Sequence, residues 1–325
     1  FPGVRHPVND SDKAKMRIAK ASGSCLTVCI WTFLSIFMLF QHHVASANEV
    51  TVIQSYNVKP YNDALKGFKK NCNCDVDRFI VSEITETDIL RSIRKSEPDI
   101  VVAIGADALK KVRVIKTIPI VYLMILNPQS MVSGRTNIRG VSLNIAPRKQ
   151  LRILRKAIPG LKTVGLIYNP DSTGYFVKKA LAAADASGIE LFTKEIHNSK
   201  ELPAVLKTMR GNVDAFWMLP DLTVVTTETI EFLFLFFLEN RVPVITFSDK
   251  YLEMGALISL DIDAFDVGRQ AGEITRKILS GTSIEAFSNM DARNAVITIN
   301  QTIADKLGIR LNEEILEKAN VINCK

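Results

Sequence analysis

Beyond residue 48 short apolar runs alternate with helical segments at a steady rhythm. The runs "VTVIQSY" (50–56), "VDRFIV" (76–81), "DIVVAIG" (99–105) and "IPIVYLMIL" (118–126) read as strands. Between them stand "YNDALKGFKKN" (61–71), "TDILRSIRKSE" (87–97) and "ADALKKVR" (106–113), with apolar positions three and four apart as in helices. The pattern then repeats. Strands are expected at "KTVGLIY" (162–168), "IELFTKE" (189–195), "VDAFWML" (213–219) and "VPVITFS" (242–248). Helices are expected at 148–158, 174–188, 199–211 and 223–240. Strands this apolar, separated by helices, belong to parallel sheets covered on both faces. The pattern predicts an α/β fold of two doubly wound halves.

Two of these strands end alike, in Asn127-Pro128 and Asn169-Pro170. Ligands of such sheets bind outside the carboxyl ends of the strands, where proline fixes the chain and biases the preceding Asn toward extended backbone. The strand ends supply a candidate set: Gln54, Ser55 and Tyr56; Gly105, Ala106 and Asp107; Asn127; Tyr168, Asn169 and Ser172; Asp221 and Thr223; Ser248 and Asp249. Asn169, Ser172 and the amides of a helix start suit a carboxylate. Asp221 suits an ammonium or a hydroxyl donor, and Tyr56 and Tyr168 suit apolar or stacking contact. Ser248 and Asp249 close the second wall, and Asp107 and Asn127 belong to the first. Taken singly, Asp171 or Ser172 reads first as an N-cap, and it is the coincidence of several such strand ends that points to a site.

The N-terminal region reads as an address label. Basic Arg17 and Lys20 follow Met16, then comes the apolar run 25–40, then "VASA" (44–47). That order predicts a signal peptide cleaved after Ala47, with Met16 as the translation start and an uncleaved anchor as the alternative. Without residues 1–47 the chain carries 36 basic against 32 acidic residues, a net +4. This mild surplus is spread out, unlike the basic stripe of a nucleic-acid binder. Cys72, Cys74 and Cys324 remain; the first two are too close in sequence for an ordinary bridge, and no His–Cys spacing suits zinc. Neither a Gly-x-Ser-x-Gly elbow nor a Walker loop occurs. His197 reads as a solvated loop residue. A racemase would need a thiol from each half facing its substrate, which these cysteines do not offer. The helix carrying "FLFLFFL" (232–238) is apolar all round, so it is either sandwiched inside the fold or a docking surface. Trp217 is expected to pack under one sheet face.

"KTVGLIYNPDS", "VDAFWMLPDLTVV", "VPVITFSDKYLEMGALISLDIDAFDVGRQAGEITRKILSG" and "VITINQTIADKLGI" resemble the ABC-transporter substrate-binding protein family of the periplasmic-binding-protein type I kind. The resemblance covers most of 98–310. It implies two lobes joined by three crossings, near 137–145, 256–263 and 282–290. The first lobe would comprise 48–141 and 261–282, the second 142–260 and 283–325. Small residues Gly268, Ala271 and Gly272 would pack a helix closely against the first lobe. The implied function is an exported, monomeric solute-binding protein that encloses an amino acid or similar small carboxylate. It would deliver the ligand to an ABC permease in the inner membrane, with no cofactor, metal, nucleic acid or covalent chemistry. A ligand sensor of the same fold is the alternative.

Overall fold

The computed structural model describes Gly3 and residues 49–323. The expected leader, its cleavage site and Cys324 lie outside the described residues.

The first sheet has six strands in the order β11-β5-β4-β3-β1-β2. They are β1 (Glu49–Gln54), β2 (Asp75–Ile80), β3 (Ile100–Ile104), β4 (Ile120–Ile125), β5 (Ile138–Ile145) and β11 (Met290–Ala292). All their pairings are parallel. The second sheet has seven, in the order β13-β12-β10-β9-β8-β6-β7. They are β6 (Thr163–Tyr168), β7 (Glu190–Glu195), β8 (Ala215–Trp217), β9 (Val244–Thr246), β10 (Ile258–Ile262), β12 (Ala295–Asn300) and β13 (Asn320–Ile322). Only β12 runs against its neighbour β10. Central strands β3 and β4 are buried at every position, whereas edge strands β2 and β7 are not. Burial on both faces is why the central runs lack polar alternation.

Helices cover both faces of each sheet. In the first lobe α1 (Lys59–Cys72) and α9 (Ala264–Leu279) pack together at backbone distance. A Cβ on Gly67 would sit 1.9 Å from the Phe265 carbonyl oxygen, and one on Gly268 would sit 1.8 Å from that of Ala64. Only glycine permits this approach. At the end of α1, Cys72 and Cys74, whose spacing is too short for an ordinary bridge, form a disulfide with Cα atoms 5.3 Å apart. Asn73 between them takes a left-handed φ of 55°, which terminates the helix and folds the two thiols together.

The lobes are joined where β5 leads into α5 (Pro147–Ala157), where β10 leads into α9, and at Arg293-Asn294 between β11 and β12. The boundaries differ from the sequence reading. Residues 142–145 continue β5 in the first sheet, and 261–262 end β10 in the second. Residues 283–292, expected in the second lobe, run along the first: Met290 and Ala292 pair with Val141 and Ile145, and Arg139 Nε donates to the Phe287 carbonyl at 2.6 Å. The third crossing is clamped. Buried Asp266 accepts from Arg293 Nε at 2.8 Å, from Arg293 Nη2 at 2.7 Å and from Asn294 Nδ2 at 2.8 Å. Lys149 Nζ donates to the Arg293 carbonyl. Segments from all three crossings therefore meet at Arg293.

In the second lobe the long helix expected at 223–240 is shorter: α8 spans Ile230–Glu239. Residues before it form turns, with Thr229 Oγ1 donating to the Val224 carbonyl at 2.7 Å, the competition that Thr side chains offer a helix. Leu233, Phe234, Phe236 and Phe237 are buried, while Phe232, Leu235 and Leu238 are exposed, so the helix is not sandwiched. Among the described residues no helix is long and apolar enough to cross a membrane.

Candidate functional site

A cavity of about 360 Å³ lies at the carboxyl ends of the strands, between the lobes. The first lobe supplies Leu126 and Asn127 after β4, and Leu143 to Ile145 of β5. Asn127 takes a left-handed φ of 45°, a conformation that Asn tolerates and that turns the chain sharply at the end of β4. The second lobe supplies Met218 to Pro220 after β8, Phe247 and Ser248 after β9, and Leu260 to Ile262 of β10.

The floor is aromatic and held in place. Trp217 is 1% exposed, yet it lines the cavity. Its indole N–H donates to Gln150 Oε1 at 3.1 Å, and Gln150 Nε2 donates in turn to the Ile145 carbonyl at 2.8 Å. The Phe176 ring, from α6 (Pro170–Ser187), meets it edge to face with centroids 5.6 Å apart. A buried indole whose N–H is satisfied and whose ring is packed offers a rigid apolar surface to a ligand. Polar groups are few: Asn127, Asn144, Gln150, Thr173, Ser248, Lys250 and Asp261. Apolar walls with sparse directed polar groups are the ordinary build of a small-molecule pocket.

Of the residues singled out from the sequence, Asn127 and Ser248 line this cavity. The others are absent from its lining, and most are engaged in hydrogen bonds within their own lobe. Asp221 is 1% exposed; its carboxylate accepts from the Asn169 N–H at 2.8 Å, the Thr173 hydroxyl at 2.7 Å and the Thr223 N–H at 2.9 Å. Asn169 caps α6, accepting from the Asp171 N–H at 2.9 Å, and its Nδ2 donates to Thr223 at 2.9 Å. The amides of Ser172 and Thr173 donate to the Asn169 carbonyl, and Pro170 has none. The backbone amides expected to meet a carboxylate are thus already taken, and the Ser172 side chain is exposed to solvent. Tyr168 donates to Glu195 at 2.6 Å; burial first, then this bond, pushes its phenol up to about 12. Asp249 accepts from Ser259 at 2.6 Å and from Thr298 at 3.2 Å, tying β10 to β12.

The first-lobe candidates gather at the ends of β1 and β3, outside the cavity lining. Tyr56 donates to Asp107 at 2.5 Å, a bond that holds the Asp107 carboxyl below the usual range and raises the Tyr56 phenol. Ser55 Oγ accepts from the Ala108 N–H at 2.9 Å, at the start of α3 (Ala106–Val112). Gly105 has φ of 91°, and a Cβ there would lie 2.6 Å from Ser55 Oγ. Gln54 is fully buried and donates to the Tyr56 carbonyl at 2.7 Å.

Sequence reasoning missed Asp261, Gln150, Phe176 and Lys250. Half-buried Asp261 lines the cavity from β10, where burial, reinforced by the Asp249 charge, pushes its carboxyl up. The Ile262 N–H donates to its Oδ1 at 2.7 Å. A carboxylate between the apolar Leu260 and Ile262 of a strand was the signal available for it.

The family model for ABC transporter substrate binding protein matches residues 46–322. The chain is 24% identical over 230 residues, 67% of its length, to the tyrosine-binding protein of Clostridioides difficile (strain R20291), and spans 66% of that relative. It is similar to a ligand-free, open structure of a substrate-binding protein with adhesive properties from Clostridium difficile. That likeness has a TM-score of 0.69 and 22% identity, over 86% of this chain and 100% of the other. An ABC domain from Streptococcus pneumonia in complex with L-Trp aligns with a TM-score of 0.58 and 22% identity, over 85% and 100%. With a match running through both sheets and all three crossings, the chain belongs to the ABC transporter substrate-binding protein family.

Proposed function

We propose that the protein is an exported solute receptor that closes its lobes around an amino acid with a large apolar or aromatic side chain and presents it to an ABC importer. The observation that carries this reading is the interlobe cavity, whose rigid floor of Trp217 and Phe176 faces a small set of polar groups. The volume of about 360 Å³ suits a ligand of that size. The relative named for tyrosine binding and the structural relative holding L-Trp support an aromatic amino acid. Affinity comes from removing the ligand's apolar body from water between two walls, and orientation from the polar groups.

The ligand leaves unchanged. Among the described residues neither histidine nor cysteine lines the cavity, and the named relatives are binding proteins. Export by the leader ending at Ala47, release as a monomer, and docking on a permease of the inner membrane complete the proposal. Signal-peptide cleavage is tested by N-terminal sequencing of the protein recovered outside the cytoplasm, which should begin at Asn48.

The ligand is tested by native mass spectrometry of protein purified without unfolding, followed by titration with L-tyrosine, L-tryptophan and L-leucine. A carried-over amino acid, or micromolar or tighter binding of one of the three, is the expected result. A protein that binds none of them, and carries a ligand lacking an amino group, would overturn the reading.

A further inference from the structure

Asp261 lines the cavity with a carboxylate that is met by a backbone amide, the Ile262 N–H at 2.7 Å, and by no cation. Among the described residues it forms no ion pair, and no side chain donates to it. It shares the lining with apolar Leu260, Ile262, Phe247 and Met218. A half-buried carboxylate in such surroundings costs free energy until a cation reaches it. The other charged side chain on the lining, Lys250, is exposed, with its Nζ over the Tyr251 ring at 4.6 Å from the centroid.

The opposite charge has no prepared place in the α6 turn. Four backbone amides there are taken within the chain: Asn169 by Asp221, Asp171 by the Asn169 side chain, and Ser172 and Thr173 by the Asn169 carbonyl. The remaining polar lining, Asn127, Asn144, Gln150, Thr173 and Ser248, is neutral.

We propose that Asp261 binds the ligand's cationic nitrogen, and that the cleft selects this head group ahead of the carboxylate. The ligand class is then an ammonium carried on an apolar or aromatic body, amines included, and not amino acids alone. This rests on the proposed role of the cavity as the ligand site. Asp261 thereby sets specificity by leaving any head group other than a cation against an unpaired carboxylate.

The test uses three compounds with one ring: L-tyrosine with both charges, tyramine with only the ammonium, and desaminotyrosine with only the carboxylate. Each is titrated calorimetrically into wild-type protein and into Asp261→Asn, and both proteins are melted without ligand. Tyrosine and tyramine should bind wild-type protein within about tenfold of each other, with desaminotyrosine weaker by on the order of 10- to 100-fold, the range for a lost hydrogen bond to a charged group. Asp261→Asn should reduce binding of the two ammonium compounds by a similar factor and melt no lower than wild type, because it removes a half-buried charge that has no cation partner. Desaminotyrosine binding as tightly as tyrosine, or Asp261→Asn binding tyramine undiminished, would overturn the proposal while the cleft reading stands. If none of the three compounds binds wild-type protein, the tyrosine-type reading of the cleft falls, and this one with it. Should Asp261→Asn fail to fold, the three compounds on wild-type protein decide by the same criteria.

Discussion

Replacing Asp221 with alanine separates a structural carboxylate from a ligand contact. The side chain is 1% exposed and holds two backbone amides and one hydroxyl, at 2.8, 2.9 and 2.7 Å. Each hydrogen bond to a charged group is worth about 1.5–3 kcal/mol, and a buried donor left unpaired costs its desolvation. The three share one carboxylate and do not add fully, so the loss is about 3–5 kcal/mol, the cost of breaking a buried charged arrangement. At about 2–4 °C per kcal/mol for a domain of this class, the ligand-free protein should melt roughly 6–20 °C lower. Differential scanning calorimetry of ligand-free wild type and Asp221→Ala measures this. The variant's α6 should also fray at its start, because Asn169 and Thr173 lose their common acceptor. A ligand-free melting point within about a degree of wild type, with affinity alone reduced, would refute the reasoning. Asp221 would then be a free ligand contact.

Other substitutions probe the frame and the third crossing. Gly268→Ala puts a Cβ 1.8 Å from the Ala64 carbonyl oxygen and cannot be accommodated unless α1 and α9 part. It should destabilise by about 3 kcal/mol or more in urea unfolding. Gly174→Ala, inside α6 with its nearest neighbour 3.7 Å away, should instead stabilise by about 0.5–1 kcal/mol. Arg293 beside Asp266 holds that carboxyl below the ordinary range. The resulting stability is fully present above the unfolded-state pKa of about 3.9 and is lost as pH falls through the lower folded value. Asp266→Asn should therefore melt below wild type at neutral pH, with the gap closing as pH falls below about 3.9. A gap that stayed constant would contradict the pairing.

The two-sheet frame was legible because burial on both faces leaves an unbroken apolar run, as in β3 and β4. Small residues Gly268 and Gly272 likewise announced close helix packing, which the α1 contact displays. Strand ends were legible as places but not as roles. Asn169 and Asp221 look the same in a sequence whether they face a ligand or each other, since both uses need the same acceptors; they lie 52 positions apart and meet only in the folded lobe. Asp261 lies in a segment whose pattern reads as a crossing, and its signal is only an acidic residue between apolar Leu260 and Ile262. Trp217 was read as core from strand alternation, which says which face a ring takes but not that Gln150 holds it at a cavity wall. The course of 283–292 rests on the pairing of β11 with β5, a contact between segments about 150 residues apart that local pattern does not encode.

Closure over the cavity is the claim on which the account turns, because a ligand held by walls from both lobes favours the closed arrangement over the open one. Small-angle X-ray scattering of the mature protein, with and without the amino acid that binds most tightly, measures it directly. Saturation should reduce the radius of gyration, with the change following the same binding curve as Trp217 emission. Tight binding with an unchanged radius of gyration and unchanged Trp217 emission would place the ligand outside the cavity and contradict the account.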